Sequence, residues 1–158
     1  NSLKKLFSIL FLFTSINAFA QADTSIVKFS SPATVAIPKG YSHAAIVDLG
    51  NCHMVVLSGQ VPLDSKGSLV GKDNLAMQAE QVFLNIKNIL AEFGGTMDHV
   101  IKIGVFMVDV SQIQTFRNVR DKYISVKNPP ASTLVEVSQL FREDVLIEVE
   151  ATAIIPKR

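Results

Sequence analysis

Cysteine is nearly absent from this chain: Cys52 stands alone among 158 residues, which excludes an internal disulfide. A lipid anchor is not expected either, because a lipoprotein leader needs a cysteine at its cleavage point and Cys52 lies far downstream of any such point. No cluster of lysine and arginine interleaves with aromatic residues, so nucleic acid is a poor partner on electrostatic grounds. The three histidines, His43, His53 and His99, lack the close paired spacing of a zinc site, and neither a phosphate-cradling glycine loop nor a nucleophile elbow is present. Neither metal nor cofactor is expected. No linker, repeat or low-complexity stretch divides the chain.

A long apolar run occurs in one place. Lys4 and Lys5 precede an unbroken apolar stretch from Leu6 to Leu12 that continues weakly to Ile16 and ends at Ala18-Phe19-Ala20. This reads as a secretory leader over residues 1–20, with cleavage expected before Gln21, and it is too short to span a bilayer. An uncleaved tether is the alternative reading. The expected mature protein, residues 21–158, is periplasmic or secreted, soluble and free of the membrane. Without Lys4 and Lys5 the basic residues fall from 15 to 13 against 14 acidic ones, so the formal charge moves from +1 to −1. Its 138 residues suit one domain with a core large enough to need no staples.

Alternation begins at Ala44–Leu49 and resumes at His53–Ser58, two strands joined at Gly50-Asn51, which predicts a hairpin. Pro62, Asp64 and Gly67 mark a loop. Apolar residues then recur at Leu75, Ala79, Val82, Phe83, Ile86, Ile89, Leu90 and Phe93, a one-stripe helix that should stop at Gly94-Gly95. Val100–Val108 is apolar on both faces and reads as a central strand, with Ile101, Ile103, Val105 and Met107 on one side. Asp109 and Ser111 can cap a second helix with the stripe Ile113, Phe116, Val119, Tyr123 and Ile124, ending near Val126. Two strands close the chain, Thr133–Val137 and Val145–Ile155. The order predicts a single two-layer α+β domain: one mixed sheet with both helices on one face. A sheet that is apolar on both faces then needs a second subunit to cover the other.

The segment Pro130-Ala131-Ser132-Thr133-Leu134-Val135-Glu136-Val137 resembles a strand of the RidA/YjgF imine deaminases. The likeness extends through Gly40-Tyr41-Ser42, Ser58-Gly59-Gln60-Val61-Pro62-Leu63-Asp64 and Glu148-Val149-Glu150-Ala151. It implies a chorismate-mutase-like trimer with ligand clefts between subunits. It also implies hydrolysis of the C=N bond of 2-imino or enamine acids. By matching position, Tyr41 is the aromatic wall, and Ser58 and Gly59 line the ligand. Glu148 holds or activates water, a role for a carboxylate within hydrogen-bond reach, while Leu134 offers a main-chain carbonyl. Each has a plainer alternative: a loop tyrosine, a strand-end turn, a solvated glutamate. Glu150 and Glu136 match too and are read as structural.

Ser132 departs from the resemblance, which places a carboxylate-clamping arginine there. A guanidinium offers two charge-assisted bonds of roughly 1.5–3 kcal/mol each, whereas a hydroxyl offers one of roughly 0.5–1.5 kcal/mol. Arg120, where the family usually carries asparagine, is the candidate replacement; its alternative is a surface arginine beside an Arg117–Asp121 helix ion pair. His43 either touches ligand or is a hydrogen-bonded surface residue. Two functions stay open: a hydrolase of imines, enamines or a related small electrophile, with Ser132 favouring substrates that lack an α-carboxylate, or a non-catalytic metabolite-binding or regulatory trimer. Ribonuclease activity is disfavoured by the absent basic patch.

Overall fold

A computed structural model describes residues 25–157, so the expected leader lies outside the described residues. The first strand, β1 (Val27–Ser30), has no counterpart in the sequence reading. It is a four-residue edge strand held by backbone pairing, and its intermediate and exposed side chains leave no burial pattern to read. β2 (Ala44–Asp48) and β3 (Cys52–Gln60) form the expected antiparallel hairpin, reversing at Gly50 with φ +90°, a conformation that suits glycine.

The predicted first helix is α1 (Leu75–Glu92), which buries the anticipated stripe from Leu75 to Leu90. Asn74 caps it by accepting from the Met77 amide at 3.0 Å, and Gly94, at φ +74°, follows its end. Each fully buried Leu, Ile or Phe contributes roughly 1.5–3 kcal/mol, well above the few tenths that propensity supplies, so the stripe fixes how the helix sits.

β4 (Val100–Met107) and β6 (Ile147–Pro156) pair antiparallel, and β5 (Ala131–Glu136) runs parallel to β4 at the sheet edge. The order is β1-β2-β3-β6-β4-β5, a mixed six-stranded sheet. One detail corrects the sequence reading. The β4–β6 register shifts between Val100 and Lys102, so the bulge turns Ile101 out to 49% exposure and gives its place in the core to Val100.

α2 (Ile113–Arg120) is shorter than predicted. Asp109 caps the 3-10 turn before it through the Ser111 amide; Ser111 is the donor there. Beyond Arg120 the chain tightens into turns, and the Lys122 ammonium and the Tyr123 hydroxyl (2.6 Å) both donate to Glu80 on α1. Tyr123 also stacks on Phe83 with centroids 5.3 Å apart, so the buried side chains stay where the stripe put them although the helix has ended. Both helices cover one sheet face, where Val55, Leu57, Ile103, Val105, Val149 and Ala151 are buried. On the open face lie Phe29, Val56 and Val135, at 71%, 41% and 41% exposure.

Candidate functional site

Strand alternation turns Glu148 and Glu150 toward the open face, opposite Phe106 and Gly104 of β4. Both carboxylates lie over glycines. A Cβ on Gly59 would sit 1.8 Å from Glu148 Oε1, and one on Gly104 would sit 2.5 Å from Glu150 Oε1. Gly59 thus makes room for the Glu148 side chain itself. Ser58 and Gly59 form a bulge, because the β3–β6 register shifts between Leu57 and Gln60.

Burial first, and the neighbouring Glu150 charge second, push the Glu148 carboxyl above the usual carboxylate range. Among the described residues no donor bonds that carboxylate, which leaves its oxygens available. Tyr41 is half exposed, and its phenol is pushed up by burial and then by the Glu148 charge, which brings wall and carboxylate into one electrostatic environment.

His43 is not a surface histidine: it is 4% exposed. Its Nε2 lies 2.7 Å from the Ala36 carbonyl and its Nδ1 lies 3.2 Å from the Gln60 amide nitrogen. That amide also donates to the Ser58 carbonyl at 3.0 Å. The Ser58 orientation therefore makes Gln60 the donor, His43 Nδ1 the acceptor and Nε2–H the donor to Ala36. The Tyr41 ring meets His43 edge-on, with centroids 5.4 Å apart. Gln60 was visible only as part of a motif; a buried amide in an apolar strand was the signal of its role.

The remaining predicted residues lie elsewhere in the chain. Ser132 and Leu134 are paired with Ile103 and Val105, both buried on the helix-covered face, and Leu134 packs partly against that core. Glu148 pairs with Phe106, of opposite alternation. One copy therefore holds Tyr41, Ser58, Gly59 and Glu148 together, and carries Ser132 and Leu134 on the other side of the sheet. Arg120 ends α2, where its Nε and Nη2 reach Asp121 Oδ1 at 2.8 and 2.7 Å. This corrects the expected Arg117–Asp121 pair: at the helix end the adjacent guanidinium reaches the carboxylate.

Two surface clefts, of about 230 and 170 Å³, one lined by Val108, Leu140 and Arg142 among others and one by Val100, Ile124 and Asn128 among others, include none of these residues. Among the described residues no three His, Cys, Asp or Glu side chains are arranged to hold a metal ion, and no helix is long and apolar enough to cross a membrane.

A family model described as endoribonuclease L-PSP matches residues 30–155. Protein HMF1 of Saccharomyces cerevisiae is 33% identical over 130 residues, covering 82% of this chain and 93% of that one. The 2-iminobutanoate/2-iminopropanoate deaminase of Salmonella typhimurium is 36% identical over 110 residues, covering 68% and 83%. Among solved structures, RidA from an Antarctic Psychrobacter superposes with TM-score 0.70 at 31% identity, covering 81% and 99%. E. coli TdcF with bound serine gives 0.69 at 27%, covering 80% and 98%. With a family model matching residues 30–155 and relatives more than 30% identical over two thirds of the chain or more, this chain belongs to the endoribonuclease L-PSP family, the RidA/YjgF proteins.

Proposed function

We propose that the protein hydrolyses imines or enamines that carry no α-carboxylate, in clefts completed by a second copy of a homotrimer. The observation that carries this reading is Glu148: an unbonded, part-buried carboxylate held over Gly59, shifted toward protonation, and sharing its surroundings with Tyr41. A carboxyl whose pKa is raised by burial and a neighbouring charge is a stronger base than an ordinary one, which suits it to take a proton from water. In the proposed reaction Glu148 accepts a proton from water as the oxygen adds to the C=N carbon. Glu148 returns that proton to the nitrogen, giving the carbinolamine, and then relays the hydroxyl proton to the same nitrogen as the C–N bond breaks, releasing ammonia and leaving a carbonyl. The Salmonella relative supports the reaction class.

Ser132 supports the restriction on substrate. With Arg120 committed to Asp121, neither residue offers the two-pronged cationic grip that a 2-imino acid carboxylate needs. Trimer formation is supported by the open apolar face and by the placement of Ser132 and Glu148 on opposite sides of one sheet. Export to the periplasm or medium is proposed from Lys4 to Ala20 alone. Ser132 also favours the second reading, a trimer that binds a small metabolite without turning it over.

The deciding assay measures ammonia release from carboxylate-free imines and from freshly generated 2-imino acids. Wild type should turn over the former and Ser132→Arg should gain the latter, with Glu148→Gln abolishing both while the fold persists. Binding of either class without turnover, unaffected by Glu148→Gln, would transfer the case to the metabolite-binding reading.

A further inference from the structure

We propose that His43 is a positioning residue, locking the Tyr41 loop to the Ser58–Gly59 bulge and so setting where the phenol stands relative to the Glu148 carboxylate. This rests on the proposed site in naming what is positioned, and its test needs no ligand.

The loop from Ser31 to His43 carries apolar side chains that burial does not hold: Ile37 is 87% and Tyr41 51% exposed. What anchors it is buried, Val35 at 1% and His43 at 4%. The His43 ring ties the loop to itself through Nε2–H and the Ala36 carbonyl, at 2.7 Å. Its amide donates to Ser31 Oγ, at the loop's start, at 3.3 Å. Toward the bulge, Nδ1 accepts from Gln60, whose amide also holds the Ser58 carbonyl. The His43 carbonyl accepts from the Ser58 amide at 3.0 Å and from its hydroxyl at 3.4 Å. The ring has one donor and one acceptor, and both are used, one toward each element. A residue without both loses the ring's hold on one side or the other and keeps only the main-chain bonds to Ser31 and Ser58. Tyr41, edge-on to the ring, follows the loop, while Glu148 follows Gly59.

Three variants separate the two arms. Glutamine keeps one donor and one acceptor at comparable reach, asparagine keeps an acceptor for Gln60 but is too short for Ala36, and leucine keeps neither. In a Tyr123→Phe background Tyr41 is the sole tyrosine, so its phenolate absorbance reports its surroundings directly. In His43→Leu the Tyr41 titration should fall back toward the ordinary value of about 10 as the ring swings away from Glu148 into water. Exchange of the Ser58 amide should quicken by about tenfold or more, with the amides of Phe83 and Ile86 in α1 unchanged. His43→Asn should lower the Tyr41 titration while keeping Ser58 exchange within about threefold of wild type, and His43→Gln should leave both near wild type. An unmoved Tyr41 titration in the leucine and asparagine variants overturns the proposal, as does a glutamine variant that behaves like leucine, or α1 amides that loosen together with Ser58. If leucine does not fold, the asparagine and glutamine pair decides by the same criteria. Failure of imine hydrolysis removes the enzymatic reading and leaves these readouts standing.

Discussion

Glu148 and Gly59 act as one unit, since the carboxylate lies where any side chain at 59 would be. The atoms that a Cβ would meet belong to a flexible side chain, so Gly59→Ala should keep the fold, shifting Tm by no more than a few degrees, and drive Glu148 out toward water. Its titration, followed by carboxyl carbon NMR, should drop toward the ordinary carboxylate range. The sign for stability follows from the raised folded value. Glu148 favours the folded state at low pH, and that contribution is lost as pH rises through its folded pKa, so the wild type should gain on the alanine variant as pH falls. An unchanged Glu148 titration would mean the carboxylate is held by something other than the glycine gap. Glu148, Tyr41 and Gly59 were legible because motif and alternation name them. The burial of His43 was not, because its ring partner on one side is a loop carbonyl with no sequence signature. The Arg120–Asp121 contact was hidden too, since a pairing between neighbours depends on rotamers at a helix end.

At the level of elements, Gln78 shows how a helix disciplines loops. Fully buried on α1, it donates to the Gly71 and Asp144 carbonyls at 3.2 and 2.8 Å and accepts from the Leu146 amide at 2.8 Å, just before β6 presents Glu148. Gln78→Leu keeps a similar volume and strands three backbone groups, so denaturant unfolding should show a loss of roughly 3 kcal/mol or more, each buried unsatisfied group costing roughly 1–3. A loss under about 0.5 kcal/mol would mean that water takes over the bonds. Helices and inner strands were readable from period alone. β1 was not, having no buried face; the bulge at Ile101 was not, because an apolar residue on either side of it looks the same in sequence. The early end of α2 came from partners on α1, which periodicity within α2 does not contain.

Across the whole molecule, the proposed assembly rests on the exposed face of the sheet. Light scattering on the wild type should give a trimer, and Val56→Lys, at a half-exposed position of that face, should give a monomer with an unchanged circular dichroism spectrum. A wild-type monomer, or a trimer indifferent to the lysine, would end the assembly proposal. The exposed apolar face was legible from strands apolar on both sides; that a partner covers it is the proposal, and the number of copies rests on family likeness.

Ser132 and Glu148 stand on opposite sides of the same sheet, which has a genetic consequence. Where clefts are shared between copies, a lesion at 132 and a lesion at 148 strike different halves of each cleft. Two defective alleles expressed together would then restore some whole clefts, and a single defective allele would spoil some of its neighbours', so inheritance at this locus would show both complementation and dominance.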